Sequence, residues 1–473
     1  MARGRRSGGD ISKLDLARLQ FATTSIYHFL FVPVTIGLSF LVALLQTAWH
    51  RRGDDAYLRL TRFFGTLLVI NIAVGVVTGL VQEFQFGMDW SAYSRFVGDV
   101  FGAPLAIEGL AAFFLESTFL GLWLFGWGRL SKRVHLATIW LVALGASLSA
   151  AFIMAANSWM QHPVGYALDK QSGRAELTDI WAVLSNSVFI WGYIHVLLAS
   201  LVTGGLVMLA VSAWHLKRGS DAPIFRKTMS LSLAVLVPGA LFAMMIGSQL
   251  GVVETTDQPM KIAAAEAQWT TCQPCSFSVF QIGGGNDDQT PTQIIEVPHL
   301  LSLLATGTWN GKVEGLTPLN NQYQQKYGQG YYVPNVFIQY WSMRLMAYTA
   351  TIVFLFALWG VWLSRRKKIT TAKWFLRMGV WAAVLPIVMN TAGWMLTESG
   401  RQPWIVQGLQ LTRDGVSPSM SATTVAISLG VFIVLYGIMA VIAGVLMVRS
   451  ARRPLAEPIG PVDEGAGLQA MTY

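Results

Sequence analysis

Charge is scarce in this sequence: only 12% of its 473 residues are Asp, Glu, Lys or Arg, about half the roughly 25% usual in a soluble domain. The shortage excludes water as the main solvent. Hydrophobic residues make up 53% of the chain, in long runs close to the ~20 residues that cross ~30 Å of hydrocarbon as a helix. A single integral membrane domain follows. Cysteine is scarcer still, with Cys272 and Cys275 alone. No second ligand pair accompanies them, which argues against a thiolate metal site. Their Cys-Gln-Pro-Cys spacing suggests redox or metal chemistry in a cytosolic protein but a plain disulfide on an oxidising outer side. A small-residue cleavage site is missing after the basic start Met1 to Arg18, so the first apolar segment is expected to stay as a helix. The net charge of +9 does not imply nucleic acid, because the basic residues sit in short clusters between apolar runs, where they set orientation in the membrane.

Nine spanning segments are read near 21–47, 63–84, 104–128, 136–159, 187–214, 230–253, 338–363, 374–397 and 422–448. Alternate connections and the tail hold nineteen basic residues, among them Arg51, Arg52, Arg129, Arg133, Lys217, Arg218 and the run Arg365 to Lys368. The other four connections are longer and hold eight, so the first set is assigned to the cytoplasm. Nine crossings then put the amino terminus outside and the carboxyl terminus inside, with the basic start at Arg3, Arg5 and Arg6 as an exception to the charge rule. The expected fold is an all-α integral membrane protein of the bacterial inner membrane, about nine transmembrane helices in a bundle. Residues 1–253 hold helices one to six, 254–337 a long outer-side loop, 338–448 helices seven to nine, and 449–473 a cytoplasmic tail expected to be disordered from Pro454. The loop is too long for a simple turn and is expected to carry function. Its polar stretch Gly283 to Asp288 reads as a partly mobile flap.

Ionisable groups inside spanning helices cost at least about 2.5 kcal/mol each at the helix centre and mark pathways or sites. Here they are His28, Glu108, Glu116, His195, Arg344 and Glu398, with Met346 two positions beyond Arg344. In the derived topology His28, Glu108, His195, Arg344, Met346 and Glu398 fall toward the outer face, beside the long loop. Haem iron accepts His or Met as axial ligand, and a His/Met pair suits electron transfer. Arginines such as Arg344 would compensate haem propionates in a low dielectric. Each residue also has a plainer reading. A lone intramembrane His can be satisfied by a neighbouring helix, and Met346, one of 18 methionines, can simply pack. Glu108 and Glu116, within about 80° on one helix at ~100° per residue, can pair with an arginine for structure, and Glu398 can be interfacial. His50, His135, His162, His215 and His299 lie in connections or at boundaries and receive no role. On residues alone, the chain reads as an inner-membrane redox or proton-handling protein.

The residues singled out sit in strings that resemble subunit I of the cytochrome bd quinol oxidases. Arg18-Leu-Gln-Phe leads into Tyr27-His28-Phe29-Leu30-Phe31-Val32-Pro33, and Glu83-Phe-Gln-Phe-Gly87 follows. Gly98 to Glu108 runs on to Phe114-Leu-Glu116-Ser-Thr, and Gly400-Arg-Gln-Pro-Trp404 follows Glu398. The likeness covers all nine segments and is strongest over about 16–163. It implies low-spin haem b, high-spin haem b and haem d. His28 and Glu398 would be axial ligands of the high-spin pair, and His195 and Met346 of the low-spin haem, with Arg344 beside it. Glu108 and Glu116 match buried acids near the oxygen-reducing centre and its proton supply. Trp394 matches an aromatic near the haems, and Arg18 and Arg401 would meet propionates. In the loop, Lys261 to Trp269 resembles the segment implicated in quinol oxidation, so Lys261 and Glu266 are candidate quinol contacts; otherwise it is a surface helix. The loop, about 84 residues over 254–337, lacks the further insertion of long-loop members, which makes this the short-loop type.

The resemblance further implies a second integral subunit, room for small accessory subunits, and a quinol substrate, menaquinol being one candidate. Oxygen would be reduced with protons drawn from the cytoplasm, conserving energy by charge separation without a pump. Two other classes stay open on the residues alone. A membrane b-type cytochrome without oxygen chemistry explains His195 and Met346 but not His28 and Glu398. A proton-coupled transporter explains the carboxylates without haem. A reduced-minus-oxidised spectrum with and without carbon monoxide discriminates among them.

Overall fold

The computed structural model describes residues 12–456. The basic start at Arg3, Arg5 and Arg6 and the tail beyond Ala456 lie outside the described residues. Among the described residues, nine helices are long and apolar enough to cross a membrane. The first six are α1 Lys13–Arg52, α2 Asp55–Met88, α3 Ser91–Phe125, α4 Lys132–Gln161, α5 Ser187–Arg218 and α6 Ala222–Asp257. Three short loop helices follow, α7 Pro259–Ala265, α8 Leu300–Thr306 and α9 Leu316–Tyr327. The last three spans are α10 Val336–Arg365, α11 Lys373–Gly400 and α12 Ala422–Ala451.

Local chemistry sets the ends of these helices. Ser12 caps α1 by accepting from the Asp15 amide, and Gly53 closes it in the left-handed region at φ 66°, where a residue without Cβ carries no penalty. Asp54 then caps α2 through the Ala56 amide. Every expected segment is present. The start of α3, at Ser91, lies well before the expected start near 104. Arg95 and Asp99 interrupt the apolar run there, yet Tyr93, Val97, Val100 and Phe101 are buried, so one packed face prolongs the helix beyond its hydropathy signal.

Helices α1, α2, α5 and α6 share the main apolar core with α10 and α11. The α1–α5 crossing is backbone on backbone: a Cβ added at Gly204 would lie 2.7 Å from the Gly37 Cα. Small residues at helix contacts let backbones approach in this way where lipid supplies no hydrophobic drive. Gly204→Leu is therefore expected to separate α1 from α5 and sharply cut the yield of monodisperse protein; wild-type yield and thermal inactivation would refute that crossing.

At one end of the bundle the alternate connections come together. Lys227 pairs with Asp54, Arg59 reaches Asp221 at 3.6 Å, His215 Nε2 meets the Ala451 carbonyl at 3.0 Å, and Arg62 stacks over Trp127 at 4.8 Å. The basic connections thus share one face, the geometry their charge demands. At the opposite end lie three antiparallel hairpins: β1 Tyr166–Leu168 with β2 Ala175–Leu177, β3 Phe277–Ile282 with β4 Thr292–Val297, and β5 Trp404–Val406 with β6 Gln410–Leu411. The connection between α6 and α10 folds as α7, β3–β4, α8 and α9. Cys272 and Cys275 are joined in a disulfide. Gly283 and Gly284 turn the β3–β4 loop with positive φ. Asn286 ties that loop to the start of α10, donating to the Pro334 carbonyl at 2.8 Å and accepting from the Val336 amide at 2.9 Å.

Candidate functional site

One cavity of about 390 Å³ lies among α1, α2, α3, α4 and α11. His28, Glu108, Glu116, Trp394, Glu398 and Arg401 all line it, joined by Glu83 and Asn157. Four carboxylates and one arginine therefore face a largely apolar space, an arrangement costly to keep without a ligand or protons to occupy it.

Each side chain is held by a local device. His28 Nδ1 meets Thr78 Oγ1 at 3.0 Å, which leaves Nε2 as the free ring nitrogen. Gly79 makes room beside it, since a Cβ there would come 3.1 Å from His28 Cε1. In α3 the α-helical path widens into a π-helical segment, Glu108–Phe113, and such segments recur at functional sites. The wider turn begins at Glu108, which accepts from Ser149 Oγ of α4 at 2.5 Å. Trp394 stacks on Phe29 with ring centroids 5.0 Å apart. Glu398 accepts from Asn157 Nδ2 at 2.8 Å through one oxygen and pairs with Arg401 through the other. Arg401 is 5% exposed, and its Nε and Nη1 have no hydrogen-bond partner.

His195 and Met346 do not line this cavity. His195, on α5, directs Nδ1 to the Ala243 carbonyl of α6 at 3.0 Å, again leaving Nε2 free. Met346, on α10, faces α11, where a Cβ at Gly393 would lie 3.0 Å from its sulfur. These features fit haem. Metal-ligating histidines usually direct the second ring nitrogen to a carbonyl or similar partner, and buried unpartnered arginine donors suit a propionate.

The other two arginines lie elsewhere. Arg344 is fully buried and spends its donors on the loop: Nη2 reaches Glu266 Oε2 at 2.7 Å and the Ser278 carbonyl at 2.6 Å, Nε shares that carbonyl, and Nη1 reaches the Ala265 carbonyl. Tyr340 stacks on it at 3.8 Å. Arg18 lines a second, outer cavity of about 900 Å³ with Ala267, the Gly283 to Asp288 turn, Tyr340 and Trp341. Burial pushes the Glu266 carboxyl above its ordinary pKa range, and Arg344 pulls it partly back. Lys261, 1% exposed, bonds Glu254 and Gln161, each at 2.6 Å.

Sequence reading gave no role to Glu83, Asn157, Gln161 or Glu254. Glu83 stood inside a matching string, and Asn157 and Gln161 have the i, i+4 spacing that puts both on one face of α4. Glu254 gave only the weak signal of an acid at a helix end.

Residues 16–455 match the family model described as cytochrome bd terminal oxidase subunit I. The cytochrome bd ubiquinol oxidase subunit 1 of Bacillus subtilis strain 168 is 43% identical over 439 residues, covering 93% of this chain and 92% of that protein. The cytochrome bd-II ubiquinol oxidase subunit 1 of Escherichia coli K12 is 35% identical, covering 93% and 96%. The solved bd oxidase from Geobacillus thermodenitrificans superposes with a TM-score of 0.85 at 28% identity, covering 93% of this chain and 99% of that one.

Proposed function

This chain belongs to the cytochrome bd terminal oxidase subunit I family, a subunit of a membrane-bound terminal quinol oxidase, and we propose that oxygen is reduced at its central cavity and quinol oxidised under its outer loop. The observation that carries this assignment is the cavity itself, where His28 and Glu398 meet Glu108, Glu116 and the unpartnered donors of Arg401. Bound haem would supply the one-electron carriers and the oxygen-reducing centre that no side chain provides. In this reading His28 and Glu398 would hold high-spin haem b and haem d, and His195 and Met346 would hold low-spin haem b. Arg401 offers its free donors to a propionate, and Trp394 walls the cavity.

The loop, residues 254–337, is the quinol loop in this proposal. Ala267 lines the outer cavity, so Glu266 sits directly behind its wall. A carboxyl whose pKa is raised by burial is suited to accept a proton from a docked hydroquinone. Arg344 fixes that carboxyl, Lys261 anchors the segment from the other side, and Arg18 faces the same space. The basic end of the bundle is cytoplasmic, with the amino terminus outside and the carboxyl terminus inside. The partners are a second integral subunit and a quinol, menaquinol being one candidate, with room for small accessory subunits.

Protons released from quinol then leave on the outer side, while those consumed in the cavity arrive from the cytoplasm. Each proton moving outward from the cytoplasm to the cavity works against a potential worth about 2.3 kcal/mol per 100 mV, so charge separation conserves energy without a pump. Glu116 lies about two turns deeper than Glu108 along α3 and lines the same cavity, which makes it the relay on the cytoplasmic side. Glu116→Gln is expected to keep every haem signal while slowing turnover; unchanged turnover removes it from the proton path. The function as a whole is tested by quinol-dependent oxygen uptake of the purified complex, and its absence in a haem-replete preparation would overturn the assignment.

A further inference from the structure

A chain of side-chain hydrogen bonds runs from the outer loop to the central cavity. Lys261 Nζ donates to Gln161 Oε1 at 2.6 Å, Gln161 Nε2 to Asn157 Oδ1 at 2.8 Å, and Asn157 Nδ2 to Glu398 Oε1 at 2.8 Å. Every member of the relay before Glu398 is buried. Glu254, on α6, closes the loop end by accepting from Lys261 at 2.6 Å.

The chain has a direction. An ammonium group only donates, whereas an amide can present either its oxygen or its nitrogen. With Lys261 at one end, Gln161 must turn its oxygen outward and its nitrogen inward, and Asn157 must do the same. The result is an N–H donor aimed at Glu398. Glu398, whose carboxylate only accepts, favours the same direction, so a neutral residue in place of Lys261 would leave the amides held from the cavity end alone. A second contact joins the same two places: Lys261 passes directly over Gly400, where a Cβ would lie 2.6 Å from Lys261 Cγ. Glu398 stands two residues before that contact, so the α11 end and the loop segment are also packed together.

We propose that Gln161 and Asn157 are positioning residues that hold the Glu398 carboxylate for its haem, in an orientation set from the outer loop by Lys261. The inference rests on the reading of Glu398 as a haem ligand. It ties the state of the quinol-facing segment to the ligand geometry of the oxygen-reducing site without any movement of the helices.

The test uses the purified complex and its optical spectrum at rest, without turnover. Glu398→Ala first identifies which haem signal depends on that ligand. Gln161→Leu and Lys261→Met are each expected to shift or diminish that same signal, with haem affinity at the site reduced about tenfold or more, as for other residues that orient metal ligands. The His195/Met346 signal should stay at wild-type amplitude. Lys261→Arg, which retains a donor-only cation, should restore the signal lost in Lys261→Met. Wild-type spectra for both Gln161→Leu and Lys261→Met overturn the proposal while leaving Glu398 as ligand. A uniform fall of all haem signals also overturns it, because it marks a purely structural role. If Gln161→Leu does not fold, the Lys261→Met and Lys261→Arg pair decides alone. An unchanged spectrum in Glu398→Ala removes the ligand assignment, and the proposal with it.

Discussion

His195→Ala is expected to delete the low-spin haem b absorption, leave the two high-spin signals in place, and bring quinol-supported oxygen uptake to background. The reasons are local. Nδ1 of the ring is committed to the Ala243 carbonyl at 3.0 Å, which fixes the tautomer with its proton on that nitrogen and leaves the Nε2 lone pair for iron. Alanine removes the Nε2 lone pair and leaves both helix backbones in place, opening a hollow beside Gly247, where a Cβ would come 3.1 Å from Cε1. Loss of a single signal therefore separates ligation from unfolding. Survival of all three haem signals in this variant would show that His195 is not a ligand.

His28→Ala is expected to act at the other end of the electron path. It removes the proposed haem ligand from the central cavity while Thr78 Oγ1 keeps its bonds to the Val74 and Gly75 carbonyls of α2, so one high-spin signal should vanish and oxygen uptake should stop. Quinol should still reduce the remaining low-spin haem b, because the loop and its Arg344–Glu266 pair are untouched. Rapid-mixing spectroscopy with quinol as the only donor distinguishes the two halves of the reaction. Oxygen uptake at the wild-type rate would remove His28 from the site.

The spans were legible because hydrocarbon admits few alternatives to an apolar helix, and the charges around 51–62 and 365–368 showed which connections share a face. The early start of α3 was not, because Tyr93, Val97 and Phe101 earn their helix by packing among polar neighbours rather than by hydropathy. His28, Glu108, Glu116 and Glu398 stood out as ionisable groups in apolar surroundings, and the fold brings them to one cavity. His195 and Met346 stood out equally, yet each faces its own neighbouring helix, a distinction that depends on the rotation of α5 and α10. Arg344 was visible as a buried charge, but its partner Glu266 lies in a distant loop, so its role in fixing that loop needed the three-dimensional structure. Asn157 and Gln161 are uncharged amides near a helix end; only the bonds that run through them distinguish them from ordinary boundary residues.

In the proposed mechanism the cavity bearing His28 and Glu398 serves oxygen reduction, and a separate low-spin haem delivers the electrons. The most direct measurement is a reduced-minus-oxidised spectrum of the purified complex, recorded with and without carbon monoxide. The expected result is low-spin b bands that ignore carbon monoxide, together with a chlorin-like band that shifts when it is added. Absence of that band and of any carbon monoxide response would contradict it.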